Sequence, residues 1–253
     1  MRTGEHSVWT IAAIACMAFV IADLSHEVLG HGVTAYLLGA RHLLLSSTYL
    51  SSDINSKLVD AAGTIANLVE GALAWLLLRN GKGGVYWRYF LWLLIAFNLL
   101  DGTGYFLFSA VSNSGDWAQI IKGLPHSGVV RLSMGLTGAA AYALSAYTCA
   151  LSLIPFSEKL EDLNLGPYWT VLVVNCAAAA LNPLGFRYLF ISALPATAGA
   201  NAALIVVPKW TRRLKKGKAS SLLVSRSIGL VWAGALVVVL FVFVVGRGIR
   251  WNR

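Results

Sequence analysis

Charged side chains are scarce in this sequence. Asp, Glu, Lys and Arg make up only 12% of its 253 residues, whereas hydrophobic residues make up 57%. Soluble globular domains carry about 25% charged residues, so this shortage excludes an ordinary soluble domain and indicates a polytopic membrane protein. The polar segments between apolar stretches are also short, and we therefore expect residues 1–253 to form a single membrane domain.

Apolar runs of transmembrane length recur along the whole chain. A helix needs about 20 residues to cross the hydrocarbon core of a bilayer, and roughly seven runs approach or exceed that length. They are residues 8–38, 58–78, 89–111, 130–154, 169–184, 188–207 and 222–245. We predict an all-α fold, a polytopic transmembrane helical bundle of about six to seven spans. The fifth and sixth runs are short, and they form either a tight helical hairpin or one span with a re-entrant piece.

The spacing of the cysteines does not indicate a redox pair, and the basic residues do not indicate a nucleic-acid partner. The three cysteines all lie in apolar runs and none belongs to a C-x-x-C pair, so we expect them to be buried packing residues. Seven of the twenty basic residues fall in the segment 209–226. We interpret this segment as a cytoplasmic loop that follows the positive-inside rule. Either six crossings with both chain ends outside, which we slightly favour, or seven crossings with the start of the chain inside would place it there.

The first apolar run contains the sequence H-E-V-L-G-H at residues 26–31. Ionisable side chains are costly at membrane depth, and those found there usually have a function. Histidine ligands and a glutamate that accepts a proton from metal-bound water are typical of zinc hydrolases. The usual spacing is H-E-x-x-H, and here one extra residue separates Glu27 from His31.

The extra residue predicts a local distortion of the helix. Residues i and i+5 point about 140° apart on a regular α-helix, so His26 and His31 could not easily share one ion. A single π-bulge would return them to the same face, and Gly30 is a plausible place for it because glycine tolerates unusual backbone angles. Glu27 would then lie beside the metal as general base and proton donor. In an alternative register, on a regular helix, Glu27 and His31 are the ligand pair, with Asp23 one turn earlier.

A third metal ligand must come from another run. Asp101 lies about twelve residues into the third run, at a depth similar to that of His26, with a mismatch of roughly 9 Å that tilt can absorb. Glu70, in the middle of the second run, is the alternative ligand. We interpret residues 115–117, Gly-Asp-Trp, as a turn with an interfacial tryptophan.

Three motifs together resemble the site-2 protease family of intramembrane zinc metalloproteases. Members carry H-E-x-x-H, A-G-P-x-x-N and L-D-G on successive transmembrane helices. The matching segments here are residues 26–31, the A-G-T-I-A-N of residues 62–67 and the L-D-G of residues 100–102. The resemblance covers residues 8–111, which would form a catalytic core of three helices, and residues 112–253 would add further transmembrane helices.

The resemblance implies roles for individual residues. His26, His31 and Asp101 would bind one zinc ion, and Glu27 would be the catalytic acid/base. Asn67, together with Gly102, would support the site or the substrate. This sequence departs from the family pattern in the longer histidine motif, in Thr64 at the position of the usual proline, and in lacking an N-x-x-P segment before L-D-G. The soluble dipeptidyl peptidase III family binds zinc with a six-residue H-E-L-L-G-H motif, so this spacing is compatible with the chemistry.

The resulting expectation is a zinc metalloendopeptidase that hydrolyses peptide bonds in or near the bilayer. Its partners would be the lipid bilayer and a transmembrane protein or peptide substrate, with no nucleic acid, and its location would be the cell membrane of a prokaryote. Two alternatives remain at this point. The chain could be a cation or proton transporter that uses the same buried side chains, or a catalytically silent metal-binding relative.

Overall fold

Long helices make up most of the molecule in the computed structural model, which describes residues 6–156, 160–215 and 222–252. The helices of these residues are α1 (Val8–Leu37), α2 (Lys57–Arg79), α3 (Val85–Ser112), the short α4 (Asp116–Ile121), α5 (Ser127–Phe156), α6 (Leu160–Ala179), α7 (Leu189–Leu214) and α8 (Ile228–Val245). Six of them, namely α1, α2, α3, α5, α7 and α8, are long and apolar enough to cross a membrane. The predicted all-α bundle of membrane-spanning helices is confirmed.

Several helix ends follow simple capping rules. Ser7 and Ser56 precede α1 and α2, and their hydroxyl groups accept hydrogen bonds from the backbone N–H groups of Thr10 and Leu58. Such caps satisfy backbone donors that have no partner inside the helix. The α7 helix is irregular, because two π-helical turns and a 3-10 segment replace regular α-helix over residues 189–205.

The α3 helix lies at the centre of the bundle. Many of its large side chains are fully buried, including Trp92, Leu93 and Ile95. The indole N–H of Trp92 donates to the carbonyl oxygen of Cys149 at 3.0 Å, so this polar group has a partner inside the protein. Protein rather than lipid therefore surrounds most of α3, which is the helix that carries Asp101.

A small antiparallel sheet, which the apolar pattern did not predict, closes one end of the bundle. Strand β1 (His42–Ser46) pairs with both β2 (Tyr49–Ser52) and β3 (Ile249–Asn252). The side-chain amide of Asn182 donates to the hydroxyl oxygens of Ser46 and Thr48 at 3.1 and 2.7 Å. The end of α1, the α6–α7 connection and the chain after α8 therefore meet at this end, which we call the sheet end.

The described residues of the basic segment, 209–215 and 222–226, lie at the opposite end of the bundle. The backbone N–H of Ser7 donates to the carbonyl of Val224 at 2.8 Å, and that of Leu222 donates to the carbonyl of Pro155 at 3.0 Å. The start of α1 and the segment before α8 therefore share one end. The helices α6 and α7 are separate and the C-terminal strand β3 lies at the sheet end, so the start of α1 and strand β3 lie at opposite ends of the bundle. The number of crossings and the side that faces the cytoplasm stay predictions.

Candidate metal centre

The histidine motif forms a π-helix. Residues Ser25–Gly32 adopt π-helical geometry inside the otherwise α-helical α1. The Nε2 atoms of His26 and His31 lie 3.1 Å apart, and the centroids of the two rings are 4.8 Å apart. The predicted bulge is confirmed, and the alternative register, which required a regular helix, is not formed.

Close helix packing explains the glycine of the motif. A Cβ atom at Gly30 would lie 2.5 Å from the Cα atom of Gly63 on α2. We expected Gly30 to tolerate an unusual backbone angle, but it is not among the glycines with positive φ. The distortion is instead spread over the π-helical turns, and Gly30 allows the backbones of α1 and α2 to touch.

Gly63 itself makes room for the two imidazole rings. A Cβ atom at this position would lie 2.5 Å from Nε2 of His31 and 2.6 Å from Nε2 of His26. Real Cβ atoms essentially never approach other atoms this closely. The absence of a side chain at Gly63 is therefore required for the two Nε2 atoms to converge.

Asp116, at the start of α4, completes a group of three potential ligands. Its Oδ2 atom lies 3.3 Å from Nε2 of His31 and 3.7 Å from Nε2 of His26. Two ligand atoms at about 2.0–2.1 Å from one tetrahedral zinc ion lie roughly 3.3 Å apart. The three measured separations are therefore those of side chains that share one ion. This buried group could hold a metal ion.

The sequence interpretation of residues 115–117 did not identify Asp116 as a candidate ligand. We interpreted them as a turn with an interfacial tryptophan, because Asp116 lies outside every apolar run. The signal that could have found it is the combination of a glycine, a carboxylate and an indole close behind a transmembrane helix. Gly115 adopts φ of +80° and turns the chain, so that Asp116 points back into the bundle.

Asp101, the predicted third ligand, lies nearby but outside this group. Its Oδ2 atom accepts a hydrogen bond of 2.8 Å from the side-chain amide of Asn67. Asp101 and Asn67 line a small cavity of about 60 Å³ together with Asp23 and Glu27. The structure therefore places Asp116 where we predicted Asp101, and the role of Asp101 as a ligand stays a prediction.

Two other predicted residues have different surroundings. A Cβ atom at Gly102 would lie 3.0 Å from the side chain of Leu68, so this glycine allows α2 and α3 to pack closely. Glu70, the alternative ligand, interacts with the side chains of Ser25 and Asn98. Glu70 is not among the residues that line the cavity beside the histidines.

The imidazole of His31 is oriented by the backbone of α2. Its Nδ1 atom lies 2.6 Å from the carbonyl oxygen of Val59 and so donates its proton there, which leaves Nε2 free to bind a metal. Histidine ligands of metals almost always carry such a partner on the other ring nitrogen. The Nδ1 atom of His26 is buried without a protein partner in the structure. It lies beside the small cavity, whose size allows a water molecule to accept its proton.

A large cavity reaches the three candidate ligands and Glu27. Its volume is about 880 Å³, and His26, His31, Asp116 and Glu27 all contribute to its wall. The rest of the wall is largely apolar and aromatic, and includes Leu50, Ile54, Leu107, Phe108, Ile191 and Pro195. Ligand sites commonly have this size and this mixture of apolar surface with a few convergent polar groups.

The electrostatic balance of the centre favours a cation. Among the described residues that line the large cavity there is no lysine or arginine, whereas there are three carboxylates, those of Glu27, Asp60 and Asp116.

 Burial acts to raise the pKa of Asp116, but interactions with His26 and His31 outweigh burial and hold the pKa below its usual value. Asp116 is therefore ionised at neutral pH, as a metal ligand must be.

No family model, curated protein or solved structure matches this chain. The resemblance to site-2 proteases therefore rests on the three sequence motifs and stays a prediction. The membrane-spanning helices and the candidate metal centre rest on the chain's own residues.

Proposed function

We propose that this protein is an intramembrane zinc metallopeptidase of the site-2 protease type. The observation that carries the proposal is the convergence of His26, His31 and Asp116 on one point, with Glu27 in the wall of the same cavity. Two histidines and one carboxylate form a common ligand set of catalytic zinc, which keeps a further position for water. A zinc ion at this point would lower the pKa of its bound water and polarise a substrate carbonyl.

Glu27 is the group in this chain suited to move the proton. It is 7% exposed, and its Oε2 atom is buried without a hydrogen-bond partner in the structure. We assign it the role of general base, which takes a proton at this carboxylate and later returns it to the leaving amine. Its position next to His26 in the π-helix keeps the carboxylate beside the ligands.

Asn67 and Asp101, which the sequence also predicts as site residues, lie behind the candidate ligands. The hydrogen bond between Asn67 and Asp101 joins α2 to α3 beside His26. We assign this pair the role of fixing the two helices, and Asp101 remains available as a further ligand. The apolar wall of the large cavity fits a segment of a transmembrane protein or peptide, unwound so that its backbone is accessible. A location in the cell membrane of a prokaryote follows from the resemblance alone.

The decisive experiment combines metal analysis with replacement of Glu27. Purified protein should contain about one zinc ion per chain, and the variant Glu27→Gln should keep the metal but lose peptide hydrolysis. Loss of hydrolysis without loss of zinc separates the catalytic role of Glu27 from a structural one. Protein that binds no zinc in either form would contradict the proposal.

A second candidate function is transport of a cation or proton. It is favoured by the small cavity, where buried oxygen atoms of Asp23, Glu27 and Asn67 have no protein partner in the structure. Polar groups of this kind inside a membrane protein often mark an ion path. Reconstituted vesicles distinguish the two functions, because Glu27→Gln would then abolish ion flux in a protein that never hydrolyses peptide.

A further inference from the structure

Asp116 depends on contacts outside its own helix. The α4 helix has only six residues, and an isolated helix of that length is not stable in water. Its first residue nevertheless has to hold a carboxylate within 3.3–3.7 Å of two imidazoles. Contacts with other elements must therefore fix the position of Asp116.

The strongest such contact comes from the next residue. The indole N–H of Trp117 donates a hydrogen bond of 2.9 Å to the hydroxyl oxygen of Thr64 on α2. Thr64 is fully buried, so water does not compete for this bond. The ring of Trp117 also packs against Phe106, with centroids 4.6 Å apart. Trp117 thus ties the start of α4 to α2 and α3 together.

The chain before Asp116 is fixed as well. Gly115 has φ of +80°, and a Cβ atom there would lie 3.2–3.3 Å from side chains of Tyr105, Phe108 and Ser109. The hydroxyl groups of Ser112 and Ser114 are 2.8 Å apart and hydrogen-bonded. These contacts set the path of the loop, and the Trp117–Thr64 bond sets where α4 starts.

We propose that Thr64 and Trp117 are positioning residues that hold Asp116 in place as a metal ligand. This inference rests on the proposed function, since it assigns a role toward the same metal. Thr64 follows Gly63, so two successive residues of α2 make room for the imidazoles and anchor the carboxylate. The family pattern has proline at this position, and proline offers no side-chain acceptor. Thr64 therefore gives this chain a contact that the pattern does not contain.

The test measures zinc affinity of the purified full-length chain in detergent, by competition with a coloured chelator. Thr64→Val keeps the shape of the side chain but removes the acceptor, and Trp117→Phe keeps the aromatic ring but removes the donor. We expect either change to weaken zinc binding roughly 10-fold, the lower end of the range for residues that orient ligands. Both changes break the same hydrogen bond, so their effects should not add. We therefore expect the double variant, like each single variant, to bind zinc roughly 10-fold more weakly than the wild type.

Two controls separate positioning from general damage. Thr64→Ser keeps the hydroxyl group and should retain wild-type affinity. Thr148→Val makes the same chemical change at an exposed site on α5, where the hydroxyl group bonds to the carbonyl of Leu144, and should also have no effect. The visible spectrum of bound Co²⁺ gives a second readout, which should change in Thr64→Val and Trp117→Phe and stay constant in both controls.

The outcomes are distinct for the two proposals. Wild-type affinity and an unchanged Co²⁺ spectrum in Thr64→Val and Trp117→Phe would overturn the positioning role while leaving the metal centre intact. A wild-type chain that binds no zinc would overturn the metal centre and the positioning role with it. If Thr64→Val does not fold, Trp117→Phe and Thr64→Ser still decide the question, because they test the donor and the rescue.

Discussion

Replacement of Gly63 by alanine should destroy the metal centre with the smallest possible change in the chain. The added Cβ atom would lie 2.5–2.6 Å from the Nε2 atoms of His31 and His26, whereas ordinary contacts begin near 3.4 Å. The imidazoles or the helix must therefore retreat by about 0.8–0.9 Å, which exceeds the tolerance of about 0.2 Å in metal–ligand distances.

The assay is the zinc affinity of the purified chain, and we expect Gly63→Ala to weaken it at least 100-fold, about 2.7 kcal/mol. Gly229→Ala on α8 is the matched control, because a Cβ atom there meets nothing within 4 Å. Helix content measured by circular dichroism should be the same in both variants. A Gly63→Ala protein that binds zinc as tightly as the wild type would refute the convergence of the two histidines beside α2.

Three further predictions address catalysis, helix packing and orientation. Glu27→Gln should keep zinc and reduce peptide hydrolysis at least 100-fold, since general base catalysis contributes about 10²–10⁴-fold; wild-type rates would exclude the assigned role. Asn67→Leu should lower the free energy of unfolding by about 1–3 kcal/mol, because it leaves the half-buried Asp101 carboxylate without its donor, and an unchanged denaturation midpoint would count against that bond. In a chain whose three cysteines are replaced by serine, an impermeant thiol reagent applied to intact cells should label Leu124→Cys at the sheet end but not Asn80→Cys at the opposite end. The basic segment would then face the cytoplasm, as the positive-inside rule requires, and the reverse labelling would contradict this orientation.

The π-helix could be predicted because its cause is local. His31 follows His26 by five positions, and simple helix geometry shows that a regular turn would send their rings in different directions. The spans could be predicted for a similar reason, since length and composition decide which segments can cross a bilayer. Both predictions depend only on residues that lie within a few turns of one helix.

The position of Asp116 beside the histidines and the sheet could not be predicted in this way. Asp116 reaches His31 through the turn at Gly115 and the bond between Trp117 and Thr64, so its place depends on contacts between distant parts of the chain. The sheet likewise joins β1 to β3, and Leu43 pairs with Trp251 near the other end of the sequence. Asp101, the ligand predicted from its depth, accepts a hydrogen bond from Asn67, and its role as a ligand stays a prediction.

The central claim is that Asp116 binds the metal together with His26 and His31. Its most direct test is the zinc affinity of Asp116→Asn compared with Asp101→Asn, two variants that remove one negative charge each from the same region. We predict that Asp116→Asn weakens zinc binding at least 100-fold and that Asp101→Asn weakens it less than 10-fold, the range expected for a residue behind the ligands. The opposite order, with zinc lost in Asp101→Asn and retained in Asp116→Asn, would contradict the account.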